Sequence, residues 1–278
     1  PLACLFLAIA GAADNVSAVF RSTILQAATP DEYRGRLQGI FNSPNYLAMY
    51  LVPGIVIALN YLTENKRAYS AALVIVLCAF YLTYSYAAWI ALALALGISA
   101  ILQKKVSWKK TGLVIIIAAL FIIFQLKTSK WSNFSSLSSR SSFSSRIMIW
   151  RSAGKIIVDN PLWGIGAGNF QDKYLAYQKY FPPYLEWAVP HPHNLYLAIL
   201  LQSGLLGLTG FAFLLVFWFN DALLSLRNRN NQIVDISLAI MLYILIHGLV
   251  DTTYFKNDLA VVFWLNFLVI LKNPRSEG

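Results

Sequence analysis

His191-Pro192-His193-Asn194-Leu195-Tyr196-Leu197-Ala198-Ile199-Leu200-Leu201-Gln202-Ser203-Gly204-Leu205-Leu206-Gly207 is the stretch whose reading decides the fold. It begins polar and, from Asn194, becomes an apolar run that continues to about Phe219. A histidine therefore stands at the mouth of an expected membrane helix. On a regular helix, Gly204 and Gly207 would lie roughly 20° and 40° around the axis from His193. Small residues on a membrane helix let another segment approach closely. An ionisable residue at the end of such a face is a site candidate. The same residue could instead sit in the headgroup zone bonded only to water, and spacing does not choose between the two.

Composition agrees with a membrane reading. The chain is 58% hydrophobic and 12% charged over 278 residues, the profile of an α-helical membrane protein. Its net charge of +10 follows from basic loops on one side of a bilayer, so no nucleic-acid partner is expected. Cys4 and Cys78 lie in apolar runs and predict neither a disulfide nor a metal site. The three His and few acids show no metal-ligand spacing along the chain. Pro1 opens the chain inside an apolar stretch, so we expect further helices upstream of it.

Working outward, the expected fold class is an all-α, polytopic transmembrane bundle of about seven spans with a large external loop. Span candidates are 45–62, two helices within 68–102 divided at Thr83-Tyr84-Ser85-Tyr86, 111–126, 194–219, 233–250 and a short 259–271. Loops 63–67, 103–110, 220–232 and the tail 272–278 together carry ten Lys/Arg, whereas the short loops 84–86 and 251–257 carry only Lys256. The positive-inside rule then puts the C-terminus in the cytoplasm and loop 127–192 outside. The expected divisions are 1–38, 39–126, 127–192 and 193–278.

The external loop opens with a serine-rich stretch, Ser129 to Ser145. Next comes an amphipathic helix with Ile149, Trp150, Ala153, Ile156 and Ile157 on one face. Arg146 shares that apolar face, where it must find an anionic partner, while Arg151 and Lys155 fall opposite. Pro161-Leu162-Trp163-Gly164-Ile165-Gly166 reads as a tight loop that lets backbone approach another surface. Loop 127–192 carries eight Lys/Arg against three acids, which suits an anionic substrate. Farther on, His247 and Asp251 are four apart, either a polar helix-end cluster or a pair in which Asp holds a His in one tautomer.

The pattern His193-Asn194, nine residues, Gly204-x-x-Gly207 resembles the signature of the O-antigen ligase and polymerase family of bacterial membrane glycosyltransferases, which also includes protein O-oligosaccharyltransferases. Arg146-x-x-x-Trp150, the Pro-Leu-x-Gly-x-Gly run and the Asp251 loop have similar counterparts there. The resemblance runs from about Gly39 to the C-terminus and implies a mechanism. A polyprenyl-pyrophosphate-linked glycan is the donor in the bacterial inner membrane. His193 is the catalytic base, and Arg146, with Arg140 or Arg151, holds the pyrophosphate. Asn194 orients His193 or caps the helix, and Trp150, Gly204, Gly207, His247 and Asp251 support the site. No cofactor and no metal are implied. The acceptor is a glycan, a lipid A core sugar or a protein hydroxyl.

Residues 14–36, ending Thr29-Pro30-Asp31-Glu32-Tyr33-Arg34-Gly35-Arg36, instead resemble a segment of major-facilitator exporters. That resemblance leaves an exporter fragment, or an inactive membrane scaffold, as the alternative readings, and marks a join near residue 38.

Overall fold

The computed structural model describes residues 36–39, 41, 43–103, 142–181, 189–226, 231–252 and 258–271. Most of the exporter-like segment, the span expected at 111–126, most of the serine-rich stretch, Arg140, Lys256 and the C-terminal tail lie outside them. Every element among the described residues is helical.

Helix α1 spans Pro44–Tyr61. Pro44 occupies its first turn, where a missing N–H costs nothing, and the Ser43 side chain accepts from Asn45 N at 3.3 Å. Helix α2, Lys66–Leu82, is capped by the Asn65 side chain accepting from Ala68 N. The expected division falls at Thr83-Tyr84-Ser85, where Tyr84 takes φ 48° to turn the chain. Helix α3 then runs Tyr86–Leu102.

The amphipathic helix is α4, Ser142–Asp159, and begins before Arg146. A short α5, Phe170–Tyr177, ends in a 3₁₀ turn, Gln178–Tyr180. Helices α6, Leu195–Leu226, α7, Gln232–His247, and α8, Asp258–Leu271, complete the order.

Helix α7 is central. Helices α3, α1, α6 and α8 all pack on it, around Leu47, Val52, Ile55, Phe80, Trp89, Met241, Tyr243 and Phe263. One polar pair joins α7 to α8 inside: the Ser237 hydroxyl donates to Asn266 Oδ1 at 2.7 Å, and the Asn266 amide returns a bond to Ser237 O at 3.1 Å. A second apolar cluster, including Ile149, Ala153, Ile156, Tyr174 and Leu201, joins α4 and α5 to α6.

Outward faces stay apolar: Val74 on α2, Leu94 on α3, Phe213 and Val216 on α6, and Leu265 on α8 are exposed. Helix α6 is long and apolar enough to cross a membrane; α3, α7 and 259–271 are shorter apolar helices.

Helix α6 is not continuous. Gly204 has φ 63° and ψ −163°, which breaks it into two halves. The backbone groups this frees are taken by the loop after α4. Ile165 N and Gly166 N donate to the carbonyls of Leu201 and Gln202 at 2.6 and 3.1 Å, while Leu205 N donates to Pro161 O at 2.9 Å. The surface approached at Gly204 is therefore this loop, not a second helix. A Cβ on Gly204 would meet the Leu162 carbonyl and Trp163 N, and one on Gly164 would meet the Leu201 carbonyl. The single face drawn through His193, Gly204 and Gly207 on a regular helix ends at this break.

Candidate active site

The helix ends fall into two groups. Gln232 reaches Asn60 O at 2.9 Å and Gln103 reaches Asp235 O at 3.4 Å, which gathers the end of α1, the end of α3 and the start of α7 at one pole. The starts of α1, α3 and α6 and the ends of α2 and α7 meet at the other, where the site lies.

His193 sits just before α6 with φ 49°, a conformation that is rare outside glycine and concentrates at functional sites. Four hydrogen bonds hold the chain around it. The Trp150 indole donates to Pro192 O at 2.9 Å. Asn194 caps α6, its Oδ1 accepting from Leu197 N at 2.9 Å, and its amide donates to Leu249 O at 2.8 Å. Leu195 N donates to Gly248 O at 2.7 Å, tying α6 to the end of α7.

Asp251 lies at the centre, 2% exposed. Its Oδ1 is 3.5 Å from His193 Nδ1 and accepts from Thr252 N at 2.9 Å. Its Oδ2 is 3.8 Å from the Arg146 guanidinium and 3.5 Å from the Asn45 amide. Burial alone would raise this carboxyl. The His193 ring 3.5 Å away, with the fields of Arg146 and His247, outweighs burial and holds it well below the usual carboxylate range.

The candidates expected from the sequence thus separate in space. His193, Arg146 and Asp251 come together, with Trp150 and Asn194 holding the frame. Arg151 is exposed, because five residues of helix turn it away from Arg146. His247 is buried and its Nδ1 meets the Tyr243 hydroxyl at 3.2 Å; the Asp251 carboxylate turns to His193 and Arg146 instead.

Four participants went unrecognised in the sequence. Arg36 donates to Asn45 Oδ1 at 3.1 Å and to Thr83 O at 2.9 Å, so a second guanidinium stands one side chain from Asp251. Asn45 bridges the two. Tyr46 OH lies 3.1 Å from His191 Nε2, and the His191 and His193 rings are 4.5 Å apart. One signal did exist. Basic Arg34-Gly35-Arg36 precedes a helix expected to start outside, against the usual charge bias, and a cation placed against that bias needs a reason.

A buried carboxylate beside a histidine, with one guanidinium next to it and a second one side chain away, can accept a proton and bind an anion at one place. The family described as O-antigen ligase matches residues 71–212, just over half of the chain, and the chain belongs to it. The matched range holds Arg146, Trp150, His193, Asn194, Gly204 and Gly207; Arg36, Asn45, His247 and Asp251 lie outside it. No curated protein matches the chain.

Proposed function

We propose that the chain transfers a glycan from a polyprenyl-pyrophosphate carrier to an acceptor hydroxyl at the outer face of the bacterial inner membrane. The convergence of His193, Asp251 and Arg146 at one pole carries this reading, and family membership supports it. The exposed apolar faces and the charge asymmetry of the loops support a multi-pass bundle with this pole outside and the C-terminus in the cytoplasm.

Asp251 accepts from His193 Nδ1–H, which leaves Nε2 as the basic nitrogen. Nε2 takes the proton of the acceptor hydroxyl as its oxygen bonds to the anomeric carbon. The bond from that carbon to the pyrophosphate oxygen breaks on the opposite side, so configuration inverts. The electron pair leaves with the lipid pyrophosphate, whose charge Arg146 and Arg36 stabilise. Acceptor hydroxyls of a glycan, a lipid A core sugar or a protein all satisfy this chemistry.

The test uses the protein in a strain without its own ligase. Glycan leaving the lipid carrier is compared among wild type, His193→Ala and Arg146→Ala at matched membrane levels. His193→Ala is expected to lose about 10²–10⁴-fold in rate, and Arg146→Ala about 10²–10³-fold, with lipid-linked donor accumulating. Undiminished transfer by His193→Ala removes the general-base assignment.

A further inference from the structure

We propose that His191, His193 and Asp251 form a binding site for a divalent cation of the zinc class. One ligand atom from each lies within 4.8 Å of the other two. In a tetrahedral zinc site with bonds of about 2.0–2.1 Å, neighbouring ligand atoms stand about 3.3–3.4 Å apart. His193 Nδ1 and Asp251 Oδ1 are already at 3.5 Å, so His191 alone must close in. Only Pro192 separates the two histidines, and their rings stand 4.5 Å apart beyond the positive φ of His193.

The surrounding contacts are those a metal ligand needs. Asn45 and Arg146 hold Asp251 by Oδ2, which presents Oδ1 to His193. Tyr46 bonds His191 at Nε2, so a cation would be taken at Nδ1. Partners of this kind fix ring and carboxylate orientation in metal sites. Two imidazoles and one carboxylate with an open fourth position suit zinc or cobalt and disfavour magnesium or calcium. Arg146 opposes a further positive charge, so the site loads and unloads rather than holding a structural ion.

A cation on His193 Nδ1 takes the position of the proton there and leaves the ring proton on Nε2. Occupancy therefore removes the base from His193; this consequence rests on the transfer reading, whereas binding itself does not.

The test is a titration of the purified chain, carrying no histidine tag, with Co²⁺ in detergent micelles. Tetrahedral cobalt is followed by its visible absorption, and Zn²⁺ is added to displace it. Wild type is expected to show one saturable, zinc-displaceable site. His191→Ala is expected to lose it, and Tyr46→Phe, which keeps all three ligands, to weaken it about 10-fold. Absence of saturable binding, or binding undiminished in His191→Ala, overturns the proposal; circular dichroism confirms that each variant is folded.

Discussion

Asp251 shows how one side chain can set the behaviour of a whole pole. Its folded-state carboxyl ionises below its unfolded value, so the stability it supplies is complete above about pH 4, the ordinary Asp range. That stability is withdrawn as pH falls further toward the folded value. In detergent, the wild-type melting temperature is therefore expected to drop on acidification from about pH 5 to pH 3. Asp251→Asn is expected to start lower at pH 7 and to change less over that interval. Parallel curves for the two proteins would show that Asp251 is not coupled to its cationic neighbours. The acid itself could be read from its spacing to His247, but its partner could not. Helical periodicity pairs i with i+4, whereas α7 ends at His247 and the chain beyond it is free to turn the carboxylate toward Arg146 and His193.

At the scale of elements, the periodic segments were legible because each is a long apolar run with a capping or turn signal at its boundary. Ser43-Pro44, Asn65 and Thr83-Tyr84-Ser85 mark ends that the structure shares to within a residue or two. The break at Gly204 was not legible, since Leu205-Leu206 continue the apolar pattern and a lone glycine is tolerated within a membrane helix. Its meaning depends on a loop some 40 residues earlier in the chain. Gly204→Ala is expected to destabilise strongly. Its backbone region alone costs about 1–3 kcal/mol for other residues, and the new Cβ also meets backbone of Leu162 and Trp163. Gly210→Ala, on the same helix with open space around it, is expected to be neutral or stabilising by roughly 0.5–1 kcal/mol. Thermal melts of the two variants side by side check both expectations.

Across the whole molecule, the two poles predict a labelling pattern. In a parent whose native cysteines are replaced, Tyr84→Cys and Asn160→Cys are expected to react with a membrane-impermeant maleimide added from the periplasmic side. Asn65→Cys and Asn231→Cys are expected to react only after the membrane is opened. Labelling of all four from one side would overturn the multi-pass reading. The expected side assignment rests on Lys and Arg clustering in alternate loops. The site was only half legible, because its members come from chain positions as far apart as Arg36 and Asp251 and no local spacing joins them.

The divided helix also bears on the order of events during synthesis. Residues 161–166 leave the ribosome before Gly204 does, so the strap exists before the gap it closes. Until the first half of α6 is in place, the amides of Ile165 and Gly166 lack the carbonyls of Leu201 and Gln202. Until that loop docks, the carbonyls of Leu201 and Gln202 lack its amides, a state hydrocarbon would not tolerate. The loop and the two halves of α6 thus satisfy each other's backbone groups only together, and His193 stands at the head of that helix.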